Sequence, residues 1–215
     1  MNSSKKNVIV SISLFLIAII YTILIKIIDV SIIGPNNSSV GFSKINSYFH
    51  NLIGVNMSLY KVTEVLGLLA ILIAGIYAVI GLIELIKRKN IFKIDREILL
   101  LGGFYIVVIM LYVFFEKCII NYRPVLIDNV LEASYPSSHT ILSLCVCISS
   151  IIVNNRLFSD VKITKYTNII STILAVTIVL GRLISGVHWF TDIIGGILFS
   201  IALLKSFKTI LDLKN

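Results

Sequence analysis

The segment VLGLLAILIAGIYAVIGLI, residues 65–83, contains 19 residues and no charged side chain. A helix needs about 20 predominantly apolar residues to cross the hydrocarbon core of a bilayer, so this segment predicts a transmembrane helix. Two other uncharged runs of 18 residues, 8–25 and 98–115, predict the same structure. The first of them follows a short basic start, as a signal peptide does, but its length and the lack of a small-residue cleavage site favour an uncleaved helix.

Three shorter apolar runs occupy the C-terminal part of the chain, at residues 140–153, 166–181 and 193–204. Each begins or ends beside a His, Arg or Asp residue. Polar side chains at membrane depth are costly and usually functional, so we interpret these runs as transmembrane helices whose ends carry a polar site. The sequence therefore predicts an all-α fold, an integral membrane bundle of six transmembrane helices forming a single domain over residues 1–215.

A short amphipathic helix is predicted between the first two transmembrane helices. Phe42, Ile45, Phe49 and Leu52 recur at helical spacing, with polar residues between them. This pattern is typical of a helix that lies on the membrane surface. His50 falls within it, and we expect an exposed histidine on its polar face.

Composition excludes several classes of protein. The chain is 57% hydrophobic and 14% charged, whereas a soluble domain carries about 25% charged residues. The formal net charge of +8 does not indicate nucleic-acid binding, because the basic residues form short clusters between apolar runs. The three cysteines give neither a disulfide framework nor a metal-ligand spacing. We therefore expect the membrane as partner, no nucleic acid, and no metal or other cofactor; the oligomeric state stays open.

The distribution of Lys and Arg predicts the orientation. If the six helices alternate in direction, most of the 19 basic residues fall on the side that carries both termini. The positive-inside rule then predicts a multi-pass protein of the cell membrane with both termini in the cytoplasm. The amphipathic helix and the loops after the first, third and fifth transmembrane helices would share the outer face.

The stretch GRLISGVHWFTD, residues 181–192, places polar side chains in this apolar C-terminal part. His188 and Asp192 are four residues apart, so on a helix they share a face. The carboxylate can then hold one imidazole nitrogen and leave the other free to attack or to take a proton. The alternative is a polar pair that pins two helices, and this stretch alone does not decide between the two.

A second polar group lies in the loop after the third transmembrane helix. It contains Lys117, Arg123-Pro124 and the run Pro136-Ser137-Ser138-His139, and topology places all of them on the same face as residues 181–192. Taken singly, these are a snorkelling lysine, a loop charge and a helix cap. Together they suit phosphoryl transfer, because arginine forks and backbone N–H groups at a helix start bind phosphate oxygens.

The motifs resemble the type 2 phosphatidic acid phosphatase family, which is related to bacterial acid phosphatases and vanadium haloperoxidases. The family pattern is Lys-x6-Arg-Pro, then Pro-Ser-Gly-His, then Ser-Arg-x5-His-x3-Asp. Here the blocks end in Arg123-Pro124, in Pro136-Ser137-Ser138-His139 and in Arg182-x5-His188-x3-Asp192. The resemblance implies a six-helix fold and a lipid phosphatase activity.

Carried over to the matching positions, the resemblance implies a role for each site residue. His188 would attack phosphorus and form a phosphohistidine, Asp192 would orient it, and His139 would protonate the leaving oxygen and later activate water. The remaining candidates would bind phosphate oxygens: Arg123, Arg182, Ser137, Ser138 and Lys117.

Three positions depart from the family pattern. The family lysine aligns with Glu116, while Lys117 is one residue out of step, a rotation of about 100° on a helix. A carboxylate facing phosphate would oppose binding, so we expect Glu116 to point away. Ser138 replaces a glycine, and Gly181 replaces a serine and removes one hydroxyl.

The sequence thus predicts a metal-independent membrane enzyme that hydrolyses lipid phosphate or diphosphate monoesters at the outer membrane face. Candidate substrates are isoprenyl diphosphates such as undecaprenyl diphosphate, phosphatidate and phosphatidylglycerophosphate, entering laterally from the bilayer. Two alternatives remain: a lipid phosphotransferase, and a non-catalytic transporter or lipid-binding protein that uses the basic pocket for anions.

Overall fold

The computed structural model describes residues 3–213; residues 1, 2, 214 and 215, at the ends of the predicted domain, lie outside it. The described chain forms seven α-helices: α1 (Ser3–Ile27), α2 (Ser43–Ile53), α3 (Met57–Arg88), α4 (Arg96–Lys117), α5 (Ser138–Leu157), α6 (Val161–Ile184) and α7 (Phe190–Asp212). All except α2 are long and apolar enough to cross a membrane, which confirms the six predicted spans.

The helices extend beyond the apolar runs because polar residues at their ends still make helical hydrogen bonds. The largest extension is in α3, which has 32 residues and begins before the apolar run 65–83. Its start is fixed by Asn56, whose side chain accepts a hydrogen bond from the Leu59 N–H at 2.9 Å. This extension carries polar residues of α3 to the level of the loops that hold the predicted motifs.

The two helices nearest the motifs form the centre of the bundle. α5 packs against α3, α4, α6 and α7, and α7 also packs against α1. Aromatic rings fill the contact between α4 and α7: Phe104 stacks on Phe207 with centroids 4.7 Å apart, and Phe115 meets Phe199 at 5.2 Å. Most of α1 and α3 exposes large apolar side chains, as expected for helices that face lipid.

Because the spanning helices alternate in direction, the bundle has two distinct ends. We call the end with the starts of α3, α5 and α7 the site end, and the end where α7 finishes the terminal end. At the terminal end Arg96 donates to the carbonyls of Ile210, Leu211 and Leu213 at 2.8–3.0 Å. These bonds satisfy carbonyls that a helix C-terminus leaves free.

The predicted amphipathic helix is present as α2 and packs on the start of α7 at the site end. Phe49 stacks on Phe190 with centroids 4.1 Å apart. His50 is half-buried with its ring 5.4 Å from that of Trp189, so the exposed position expected for it was wrong. A small feature not predicted from the sequence precedes α2, an antiparallel pair of two-residue strands, β1 (Ser31–Ile32) and β2 (Ser39–Val40).

Candidate active site

The loop between α6 and α7 is fixed before it reaches His188. Gly186 adopts a φ of +67°, and a side chain there would also meet the carbonyl oxygen of Gly54 at 1.8 Å. The Asn56 N–H donates to the Ser185 carbonyl at 2.9 Å. The start of α3 therefore holds this loop, and His188 enters the protein interior, where it is 4% exposed.

The predicted His188–Asp192 pair is brought together, but not by a direct hydrogen bond. His188 Nδ1 lies 3.9 Å from Asp192 Oδ2, which is too far for one. The Ser134 hydroxyl lies between them, donating to Asp192 Oδ2 at 2.5 Å and lying 3.0 Å from His188 Nδ1. Ser134 was missed by sequence reasoning, because nothing in its spacing distinguishes it from other loop serines.

Asp192 is itself held by the start of α7. Its Oδ2 accepts a hydrogen bond from the Trp189 N–H at 2.9 Å. A carboxylate at this position is favourable because the first N–H groups of a helix lack intrahelical partners. The aspartate is fully buried, so its direction is set by this backbone bond and by Ser134.

The segment 134–140 can approach α7 closely because α7 has two consecutive glycines at the contact. A Cβ at Gly195 would meet the Tyr135 ring at 2.2 Å, and one at Gly196 would meet the Thr140 methyl at 2.9 Å. This close approach allows the Ser137 N–H to donate to the Asp192 carbonyl at 3.1 Å. The second predicted motif is thereby fixed beside the third.

His139 lies in the first turn of α5, and Ser137 is the N-cap of that helix. Ser137 Oγ accepts hydrogen bonds from Thr140 N at 3.4 Å and from Thr140 Oγ1 at 3.1 Å. Ser137 therefore acts as a helix cap, the structural role that the motif also allowed. Its predicted contact with phosphate stays a prediction. The His139 ring packs on α3, where a Cβ at Gly67 would lie 2.9 Å from its Cδ2 and 3.3 Å from its Nε2.

The predicted arginines share one aromatic neighbour. The guanidinium carbon of Arg182 lies 4.7 Å from the centroid of the Tyr60 ring, and that of Arg123 lies 5.7 Å from it. Tyr60 and Glu64 on α3 were not among the predicted site residues; Glu64 Oε1 lies 3.9 Å from Arg182 Nη2. A ring face attracts cations, so Tyr60 lets two like charges share a small volume.

Arg123 reaches this position because its loop folds back on itself. Its N–H donates to the Glu132 carbonyl at 3.1 Å, and the Ser134 N–H donates to the Asn121 carbonyl at 2.9 Å. The side chain of Glu132 also approaches Arg123 Nε at 3.1 Å. The loop that carries Arg123 therefore also carries Ser134 to His188.

The buried site contains many side-chain nitrogens without hydrogen-bond partners. Among residues 3–213, the side-chain nitrogens that lack a hydrogen-bond partner include Arg123 Nη1, all three guanidinium nitrogens of Arg182, His139 Nδ1 and His188 Nε2. Buried polar groups are nearly always paired, and leaving a buried donor unpaired costs about 1–3 kcal/mol. This cluster therefore has the properties of a binding site for an anion with several oxygens.

The environment of His188 keeps its imidazole neutral. Burial, and then the nearby positive charges of Arg123 and Arg182, lower the pKa of His188 well below its usual range. A neutral imidazole with a free Nε2 lone pair is a nucleophile, whereas a protonated one is not.

A cavity of about 290 Å³ adjoins the two histidines, between α4 and α5. His139, His188 and Ser138 line one side, and most of the other lining residues are apolar. Among those residues Ile109 is 59% exposed, so the cavity reaches the lipid-facing surface of the bundle. Ser138 is thus at the predicted site, in the cavity wall.

Glu116 and Lys117 lie at the end of α4, beside the cavity, and the predicted contact of Lys117 with phosphate stays a prediction. Glu116 is exposed at the end of α4 and is one of the residues that line the cavity, and the expectation that its carboxylate points away from phosphate stays a prediction. Lys117 is exposed in the last turn of α4 and is not a lining residue. The one-residue offset therefore places Glu116, rather than Lys117, among the residues that line the cavity.

The match to known families agrees with this geometry. The family model described as the PAP2 superfamily matches residues 103–214, slightly more than half of the chain. The chain belongs to the PAP2 superfamily. This confirms the resemblance drawn from the three motifs.

A solved structure extends the likeness of this PAP2 protein to nearly its whole length. The chain is similar to the crystal structure of a transmembrane PAP2-type phosphatidylglycerolphosphate phosphatase from Bacillus subtilis, with a TM-score of 0.64 and 22% sequence identity. The match covers 94% of this chain and 96% of that chain. No curated protein matches the chain. At this identity the likeness shows the fold.

One departure from the PAP2 pattern has a packing explanation. A Cβ at Gly181, where the family has serine, would lie 2.4 Å from the Thr63 methyl of α3. Thr63 is buried, and its hydroxyl donates to the Tyr60 carbonyl at 2.7 Å. A methyl group from α3 thus fills the space that a serine side chain would need.

Proposed function

We propose that this PAP2 protein is an integral membrane phosphatase that hydrolyses lipid phosphate or diphosphate monoesters through a phosphohistidine. The observation that carries the proposal is the cluster of buried, unpaired donors around His188 Nε2. The oxygens of one phosphoryl group would accept from the two guanidinium groups, and this would place phosphorus next to a free imidazole lone pair. Such fixed donors stabilise the charge that develops during phosphoryl transfer.

In the first step, Nε2 of His188 attacks phosphorus and the bond from phosphorus to the ester oxygen breaks. The negative charge of the bound phosphoryl group would offset the two arginines and let His139 enter the step protonated. His139 gives this proton to the ester oxygen and becomes neutral, and the oxygen leaves as part of an alcohol or of a lipid monophosphate. The product on the enzyme is a phosphorylated His188 held by Arg123 and Arg182. A positioned acid of this kind contributes about 10²–10⁴-fold to the rate.

In the second step, His139 removes a proton from a water molecule that attacks the phosphohistidine. The bond from Nε2 to phosphorus breaks, inorganic phosphate leaves, and both histidines return to their starting states. Because one residue serves as acid and then as base, the cycle closes without another proton carrier.

The cavity beside the histidines supports a substrate whose tail stays in the bilayer. Its apolar walls and its exposed edge at Ile109 would let an acyl or isoprenyl chain enter between α4 and α5. Isoprenyl diphosphates such as undecaprenyl diphosphate, phosphatidate and phosphatidylglycerophosphate all fit this description. The basic residues near the terminal end support a cytoplasmic position for both termini and an outer position for the site end.

A phosphotransferase is the second candidate within the same chemistry. If the hydroxyl of another lipid replaced water in the second step, the phosphoryl group would move to that lipid. The cavity that admits one lipid from the bilayer is the observation that favours this candidate. A transporter that only binds anions would need the arginines, but not a buried histidine with a positioned carboxylate.

The test is phosphate release from a panel of lipid phosphates and diphosphates by the detergent-purified protein, beside His188→Ala and His139→Ala. We expect release by the wild type only. Unchanged release by His188→Ala would contradict the nucleophile, and binding without release by the wild type would favour the transporter.

We also propose that the reaction needs no divalent metal, because Arg123 and Arg182 supply the positive charge at the phosphate. Release should persist in the presence of a chelator. Full loss with the chelator, restored by a divalent cation, would contradict this part of the proposal.

A further inference from the structure

We infer that Ser134 is a positioning residue that fixes the protonation of His188, with the proton on Nδ1 and the lone pair on Nε2. Its hydroxyl lies between His188 and Asp192 and is 2% exposed. The inference deepens the proposed function and rests on it, because it assigns the group that makes Nε2 a nucleophile.

The direction of the hydrogen bonds follows from what each group can donate. The Oδ2 of an ionised Asp192 only accepts, so the Ser134 proton points to Asp192 across 2.5 Å. The Ser134 oxygen can then only accept, and its remaining neighbour is His188 Nδ1 at 3.0 Å. Nδ1 must therefore carry the imidazole proton, which leaves Nε2 without one.

The aspartate cannot fix this tautomer by itself at the observed distance. Asp192 Oδ2 lies 3.9 Å from His188 Nδ1, and the other carboxylate oxygen, Oδ1, has no hydrogen-bond partner within the described chain. Asp192 acts on His188 through Ser134. The carboxylate is anchored to the start of α7, and Ser134 is anchored to the Asn121 carbonyl, so two elements converge on the imidazole.

This arrangement also bears on the phosphorylated intermediate. When Nε2 carries the phosphoryl group, the imidazole becomes positively charged and keeps its Nδ1 proton. The Ser134 oxygen still accepts that proton, and the nearby carboxylate stabilises the charge without itself taking a proton. The geometry needs no rearrangement between the two steps.

The first test is spectroscopic and does not depend on activity. The chain has three histidines, so the nitrogen chemical shifts of isotope-labelled full-length protein can be assigned with single His variants. We expect a protonated Nδ1 and an unprotonated Nε2 at His188 in the wild type, and a mixture of tautomers in Ser134→Ala. A wild-type His188 protonated on Nε2, or an unchanged tautomer in Ser134→Ala, would overturn the inference.

The second test is kinetic, with Ser134→Thr as the variant that keeps the hydroxyl. We expect Ser134→Ala to lower kcat by about 10- to 100-fold, as for other misplaced reacting groups, with KM within about twofold. Ser134→Thr should recover most of that loss. Ser200→Ala is the matched control, since Ser200 is also fully buried and its hydroxyl donates to the Gly196 carbonyl of its own helix.

The two tests separate this inference from the proposed function. If the wild type releases no phosphate from any lipid, the proposed function fails, and the tautomer of His188 still decides the role of Ser134. If the wild type is active and Ser134→Ala matches it in both kcat and tautomer, the inference alone fails.

Discussion

The two ends of the bundle bury polar side chains in opposite ways. Near the terminal end, the Tyr77 hydroxyl donates to Asn154 Oδ1 at 2.5 Å, and Asn154 Nδ2 donates to Thr167 at 3.2 Å. At the site end, Arg182 is fully buried, yet none of its guanidinium nitrogens has a hydrogen-bond partner among residues 3–213. The same helices, α3, α5 and α6, carry both groups.

The difference separates structural from functional polar groups. Polar side chains that satisfy one another hold membrane helices together, so they stabilise the fold and need no ligand. Unpaired buried donors cost free energy in the free protein and regain it when an anion binds. Removing an unpaired donor at the site end should therefore reduce activity and spare stability, and removing a paired group at the terminal end should do the reverse.

The largest expected effect is at Arg182. We expect Arg182→Met to lower kcat/KM by about 10²–10³-fold, because it removes donors aimed at the transferring phosphoryl group. Thermal stability should stay the same or rise, since replacing a buried charge by an apolar group of similar volume is often neutral or stabilising. Phosphate release and thermal unfolding, measured on the same preparation, check both expectations. A loss of stability with kcat/KM retained would show that Arg182 has a structural role and does not bind the phosphoryl group.

A substitution at Gly67 tests whether the reaction requires His139 in its observed position. In Gly67→Ala the new methyl group would lie 2.9 Å from the His139 ring and displace it. We expect kcat to fall by about 10- to 100-fold, the effect of a displacement of about 1 Å at a reacting group.

Gly75→Ala is the matched control for this change. Gly75 lies on the same helix, and a Cβ there would have no neighbouring atom of residues 3–213 within 4 Å. Equal kcat values in the two variants would show that the position of His139 does not limit the reaction.

Gly181 precedes Arg182 on α6 and faces Thr63 of α3, so a substitution there tests how tightly the site end is packed. Gly181→Ser restores the family residue but overpacks against the Thr63 methyl, at an expected cost of about 1–3 kcal/mol. Adding Thr63→Ser removes that methyl and should recover the stability. The free energy of unfolding of Gly181→Ser and of the double variant, measured by denaturation, checks both expectations. If the double variant recovers no stability, the contact with the Thr63 methyl does not explain the glycine at position 181.

The smallest expected effect is at the terminal end. Asn154→Ala should lower stability by about 1 kcal/mol, the usual range for polar contacts between membrane helices, and leave kcat unchanged. Asn155→Ala, which affects a more exposed hydrogen bond to Asn168, should cost less. A clear loss of kcat in Asn154→Ala would show that polar groups at the terminal end also contribute to activity, which contradicts the proposed difference between the two ends.

The sequence was sufficient for the parts of this fold that depend on local pattern. Uncharged runs near the length of a bilayer predict the spans, and the order of Arg123, His139, Arg182 and His188 predicts a shared site. The spans and the individual motifs can be predicted because each depends on the pattern within one segment, and the alternation of the helices then brings the motifs together. The structure brings these four side chains to one end of the bundle, as expected.

The parts that the sequence could not supply depend on contacts between segments. Ser134, Tyr60 and Glu64 carry no distinctive spacing, and they join the site only because a loop folds back and because α3 begins early. Glu116 lines the cavity because of how α4 packs on α5. A one-residue offset in a motif cannot be interpreted without that packing.

A carboxylate where the family has a lysine remains the most unusual feature of the cavity wall. Glu116→Lys should increase kcat/KM for diphosphate substrates relative to monophosphates, because it replaces repulsion of the more highly charged group by attraction. Competition between the two substrate classes measures this ratio. An unchanged ratio would show that Glu116 does not contact the phosphate groups.

The central claim is that the unpaired donors of the site end hold a phosphoryl group on His188. The most direct test is to trap the phosphorylated enzyme. The wild type and His188→Ala are mixed with a lipid substrate that carries radiolabelled phosphorus, and the reaction is quenched rapidly without acid. The wild type should carry an acid-labile, alkali-stable label that maps to the peptide containing His188, and the variant should carry none and release no phosphate. A label on another residue, or phosphate release by His188→Ala at the wild-type rate, would contradict the claim.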